Sequence, residues 1–138
     1  MTKKQTKNGF MVVEVLTAVS IITVFILVAM TVAQQSIHLS RQSFHSAQAA
    51  FLLEEGAEDM RIARDNAWSN VVTFPEEQIG IFTRTVVVSD VNRDGNNNIS
   101  EIGNPDSSTE LITVTVSWLE GGVTITKTLQ FYIMDIFS

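Results

Sequence analysis

Cysteine is missing from all 138 residues, so neither a disulfide nor a thiolate metal site can form. Proline is nearly missing as well. The chain has two, both after residue 74, so residues 10–74 contain nothing that forbids a continuous helix. Basic side chains are scarce beyond the start: Lys3, Lys4 and Lys7 account for three of nine, and the six that remain face 15 acidic ones. A body that acidic argues against nucleic acid as a primary ligand, because phosphate binding needs clustered Lys and Arg. There is no nucleophile elbow, no phosphate loop and no acid–base pair in a supporting context, so the chain does not read as an enzyme. His38 and His45 stand seven apart with no other ligand-type neighbours, and read as solvated or packed rather than as a metal site.

What is present is a long apolar run. FMVVEVLTAVSIITVFILVAMTVA occupies residues 10–33 with one charge, Glu14. A bilayer core needs about 20 apolar residues in a helix, so this run is long enough to span. A carboxylate within it costs roughly 2.5–3.5 kcal/mol on insertion scales. A secretory signal peptide would have a shorter apolar region, about 7–15 residues, ending at a small-residue cleavage site, and none follows here. A plain anchor oriented by the three lysines, N-terminus in the cytoplasm, accounts for everything except Gly9, Phe10 and Glu14.

Those three residues carry a resemblance. MTKKQTKNG followed by FMVVEVLTAVSIITVFILVAMTVAQQ resembles the N-terminus of the type IV pilin superfamily, which comprises pilins, minor pilins and type II secretion pseudopilins. The resemblance covers roughly the first 35 residues. It implies a leader, residues 1–9, that a prepilin peptidase removes after Gly9, and an N-methylated Phe10 as the mature N-terminus. It also implies a filament of like or unlike pilins, built by inner-membrane assembly machinery. Glu14 matches the family's glutamate four residues beyond the first mature residue. The family often has a helix-kinking proline in the membrane half, and this chain has none there.

Elementary chemistry fits that implication. A freed α-amine on Phe10 has a reference pKa of about 8 and is largely cationic near neutral pH. Helical residues four apart share a face. The Glu14 carboxylate of one subunit can therefore meet the amine of an axially displaced neighbour, and pairing removes two charges that would each be costly in an apolar bundle. On this reading Glu14 sets register during assembly. The rival account is a carboxylate that reaches the headgroups.

Beyond residue 33 the pattern stays helical to about residue 68. Ala49, Leu52, Leu53, Gly56, Met60 and Ala63 recur at spacings of three and four, an apolar stripe for a sheet to cover. Gly56, a poor helix former, marks a close approach of that sheet. A helix over residues 10–68 would be roughly 88 Å long at about 1.5 Å per residue. The charges Glu54, Glu55, Glu58 and Asp59 before Arg61 and Arg64 read as a solvated face with helix-spaced pairs, or as a subunit contact. From residue 80 the period becomes two. Phe82, Val86 and Val88 alternate with Thr83, Thr85 and Val87; Ile112, Val114, Val116 and Trp118 share one face; Gly121 and Gly122 turn the chain into a last strand carrying Val123, Ile125, Leu129, Phe131 and Ile133. The expected fold is α+β: a long N-terminal helix on a three-stranded antiparallel meander. Residues 70–78 link the two, and residues 103–110 form a surface loop. The parts are the leader 1–9, a transmembrane or filament-core helix 10–33, an amphipathic helix 34–68 and the sheet 69–138.

One loop has a motif. DVNRDGNNNISE, residues 90–101, fits D-x-[DN]-x-[DN]-G-x5-E. Asp90, Asn92, Asp94, the Asn96 carbonyl, Asn98 through water and Glu101 would supply the oxygens that Ca²⁺ takes, with Gly95 at the sharp turn. The flanks read as strands, so calcium would be structural, holding together carboxylates that otherwise repel. An Asn/Asp/Gly-rich turn needing no metal remains the alternative. Together these readings anticipate a single-pass inner-membrane protein that becomes a subunit of an extracellular or periplasmic filament. A type II secretion pseudopilin and a monomeric membrane-anchored calcium-binding module are the alternatives.

Overall fold

The computed structural model describes residues 8–136, with side-chain surroundings from residue 11 onward. Lys3, Lys4 and Lys7 of the leader lie outside the described residues. One α-helix, α1, runs Asn8–Asn66, 59 residues without interruption, as the absence of proline allows. The chain divides into two units, Met1–Ser43 and Phe44–Ser138, and each is taken by itself.

In the first unit every residue from 11 onward is exposed. The helix is long and apolar enough to cross a membrane, and none of its most apolar window is covered by protein. Burying such a surface needs lipid or other helices.

In the second unit, residues 44–66 of α1 lie on an antiparallel sheet. A short 3₁₀ turn, Trp68–Asn70, follows the helix. The strands are β1 (Phe74–Ile79), β2 (Phe82–Arg93), β3 (Ile99–Ser100), β4 (Asn104–Glu120) and β5 (Val123–Met134). The order is β1-β2-β4-β5, with β3 added to the far end of β2. The expected three strands are present as β2, β4 and β5, and two more were hidden. FPEEQI, read as linker, pairs with β2 as β1. With a proline, two glutamates and no alternation, it has the composition of an edge strand rather than an interior one. The expected loop 103–110 is instead the first part of β4: Asn104, Pro105 and Asp106 pair with Arg93, Asn92 and Val91.

The core follows the two periodicities. Ala49, Leu53, Ala57 and Met60 of α1 are buried against Phe82 and Val86 of β2, Ile112, Val114, Val116 and Trp118 of β4, and Ile133 of β5. Leu52 and Ala63 sit half-buried at the margin, and Val123 is exposed at the hairpin tip. Gly56 is a point of close approach: a Cβ built there would lie 2.8 Å from Val114 Cγ1. The β4–β5 hairpin turns on Gly121 and Gly122, both at positive φ (58° and 82°), a backbone conformation that glycine adopts without strain.

Candidate functional site

The membrane-length helix has five polar side chains between residues 11 and 33: Glu14, Thr17, Ser20, Thr23 and Thr31. Four are satisfied by the helix itself. Thr17 Oγ1 donates to the Glu14 carbonyl at 2.9 Å, Ser20 Oγ to Leu16 at 2.7 Å, Thr23 Oγ1 to Val19 at 2.8 Å and Thr31 Oγ1 to Leu27 at 3.0 Å. Hydroxyls that bond back to the preceding turn cost little in an apolar medium. A carboxylate has acceptor oxygens only, so Glu14 cannot bond back to a carbonyl of the preceding turn. Among the described residues it has neither hydrogen bond nor ion pair. Gly9 and Phe10 lie in the first turns of α1, and their surroundings are outside the described side chains.

The loop at residues 90–101 is built differently from the expected cage. Asp90 and Asn92 lie within β2, Ser100 within β3, and these three with Glu101, Leu111 and Tyr132 line one hollow on the sheet surface. Asp94, Asn96 and Asn98 belong instead to a tight turn. Asp94 Oδ1 accepts the backbone N–H of Asn96 at 2.8 Å and that of Asn98 at 2.9 Å, and those bonds hold its carboxyl below the usual carboxylate range. The left-handed residue is Asn97, at φ 66°, whereas Gly95 has no positive φ. Asparagine tolerates that conformation better than other non-glycine residues. It therefore stands where helix-flanked calcium loops carry an aliphatic residue.

The cation of this loop is Arg93. Its guanidinium bonds Asp106 through Nε at 2.5 Å, the Asn97 carbonyl at 3.0 Å and Thr109 Oγ1 at 3.1 Å. The Ser108 hydroxyl, Arg93 and Thr109 together hold the Asp106 carboxyl far below its ordinary value. Among the described residues no group of three or more His, Cys, Asp or Glu side chains stands where it could hold a metal. Asp94 Oδ1 is engaged with the turn amides, and Oδ2 has the Asn98 side-chain amide at 3.4 Å. As placed, Asp90, Asn92 and Glu101 line the hollow while Asp94 is held in the turn.

Two features escaped the sequence reading. Arg84 sits in the inward row of β2 with Phe82 and Val86, and is buried. Its guanidinium meets Glu77 of β1 at 2.7 Å, and Glu55 and Asp59 of α1 at 3.4 and 3.5 Å. Part of the acidic run on α1 therefore reaches a cation of the sheet while staying in contact with water. The parity of β2 was the available signal. On the outer side of α1, Arg61 does pair with Glu58 at 3.0 Å, while Arg64 pairs with Asp65 rather than leaving Asp65 to Arg61. His38 is exposed, and His45 packs edge-on against Phe82 with Nδ1 3.7 Å from Glu120.

The second feature is Glu110, opposite Asp90 across the β2–β4 pair. Burial, with repulsion from Asp90 and Asp106, pushes its carboxyl up. No family model, no curated protein and no solved structure matches this chain.

Proposed function

We propose that the chain is a structural subunit of a type IV pilus or pilus-like filament. In this reading a prepilin peptidase cuts after Gly9, Phe10 becomes the methylated mature N-terminus, and the apolar part of α1 forms the filament core with like or unlike subunits. The chain first sits in the inner membrane with its N-terminus in the cytoplasm. Assembly machinery then extracts it, and the sheet unit is displayed outside.

One observation carries the reading. Glu14 is the only polar side chain of the apolar run left without a partner, while the helix satisfies its four companions internally. An orphan carboxylate in an exposed apolar helix calls for a cation supplied by another molecule. The freed amine of a neighbouring Phe10 has that charge and lies in the same apolar layer. A plain anchor leaves Glu14 only the headgroups to reach.

The test is mass spectrometry of the N-terminal peptide after expression with a prepilin peptidase, beside sedimentation of assembled material. The expected chain begins at methylated Phe10, keeps Met1 or Thr2 in Gly9→Leu, and fails to assemble in Glu14→Leu although still processed. A chain that starts at Met1 or Thr2 in every case sinks the proposal in favour of a monomeric anchored module.

A further inference from the structure

Among the described residues neither outer edge of the sheet is paired: β1 bounds one side and β5 the other. The two edges differ. β1 has six residues, Pro75, Glu76 and Glu77, and a register shift between Phe74 and Glu77. Those devices limit what can pair with it. β5 has 12 residues, no proline and no acid. Its single charge, Lys127, turns inward and donates to the Ser46 carbonyl at 3.4 Å. Its outward positions Thr124, Thr126, Thr128 and Gln130 are exposed and uncharged. A long edge without charge or proline is a template for another strand.

Two observations select the occupant. Every neighbouring pair along β1-β2-β4-β5 is antiparallel, so β1 runs antiparallel to β5. A second copy related by translation alone therefore brings its β1 beside β5 in antiparallel sense. Translation also keeps the direction of every element, which suits copies that insert the same apolar helix into one membrane. The other observation is charge. The chain has a net charge of −6, and the exposed Glu76 and Glu77, the latter already held by Arg84, would approach an edge that has no acid of its own.

We infer that β5 is a docking edge for β1 of a second copy, a head-to-tail contact that joins neighbouring sheets. Pro75 and the register shift confine the pairing to the last residues of β1. Each contact is short and reversible, and repetition along a row of copies supplies the strength. The inference goes beyond the filament reading, since it needs copies that share a membrane and does not need N-terminal processing.

The absence of cysteine makes every introduced thiol unique. Gln78→Cys on one full-length chain is coexpressed with Thr124→Cys, Thr126→Cys, Thr128→Cys or Gln130→Cys on another, and the membranes are oxidised. Directly opposed cross-strand Cβ atoms lie about 4.5–5.5 Å apart, close to disulfide reach. The mixed dimer should exceed either self-dimer by about tenfold, reflecting the effective concentration of a specific contact. Its yield should peak at one β5 position and fall at the next. Glu76→Lys should reduce it several-fold without moving the melting temperature. Dominant β5–β5 self-dimers, equal yields in all pairings, or no dimer would each overturn the inference. Repeating the experiment in Gly9→Leu separates the two proposals, because processing is read from the N-terminal peptide and docking from the crosslink.

Discussion

Replacing Gly56 with alanine pits helix propensity against packing at one atom. On an exposed helix this change stabilises by about 1 kcal/mol. Here the new Cβ would stand 2.8 Å from Val114 Cγ1, where carbon–carbon contacts prefer about 3.5–4.0 Å. The helix or strand must move by a large part of that shortfall, because Val114 cannot swing away. It is fully buried, lies between β2 and β5, and is β-branched, with a stiff χ1. Arg84 Cδ and Val86 Cγ2, each at 3.5 Å, close the remaining space. Overpacking of this kind costs about 1–3 kcal/mol. Set against the propensity gain, the net is a loss of about 1 kcal/mol, or some 4–8 °C in melting temperature for a domain of this size. The assay is tryptophan fluorescence of the full chain in detergent during heating, since Trp118 packs against Phe82 with ring centroids 5.5 Å apart. Gly56→Ala combined with Val114→Ala should recover part of the loss, with a coupling of about 0.5–3 kcal/mol. A higher melting temperature for Gly56→Ala, or strict additivity in the double variant, would refute the close-packing account.

Further outcomes follow from the same geometry. Arg84→Met should lower stability by about 1–3 kcal/mol through lost charged hydrogen bonds, and added salt should narrow the gap, since its three carboxylate partners are partly exposed; equal melting curves would refute it. Glu110→Gln should raise the melting temperature at pH 7. The folded chain binds that proton more tightly than the unfolded one, so ionisation above the raised pKa weakens the fold, and the variant's advantage should shrink as pH falls through the carboxylate range. Asp94→Ala should do the reverse: its depressed carboxyl contributes at neutral pH, and that contribution fades as pH falls through the folded value. Millimolar calcium followed by EGTA should leave the melting temperature unchanged, and a calcium-dependent rise would refute the Arg93-centred loop.

Much of this protein was legible without coordinates because period is a local property. Ala49, Leu53, Gly56 and Met60 recur at helical spacing, and Ile112, Val114, Val116 and Trp118 alternate, so the stripe of α1 and the inner face of β4 follow from the sequence. The length of α1 follows from missing proline, and the isolation of Glu14 from the apolar run around it. Tertiary structure decided which charges meet. No spacing rule joins Arg84 to Glu55 and Asp59 some 25–30 residues earlier, because helix–strand contacts depend on how the helix is set down on the sheet. The loop is the sharper case. Residues 90–101 match a calcium motif letter by letter, yet a motif records which oxygens exist and not what already occupies them. The backbone amides of Asn96 and Asn98 take the Asp94 oxygen, and Arg93 binds Asp106 and the Asn97 carbonyl beside it, because β3 and β4 fold back against the end of β2.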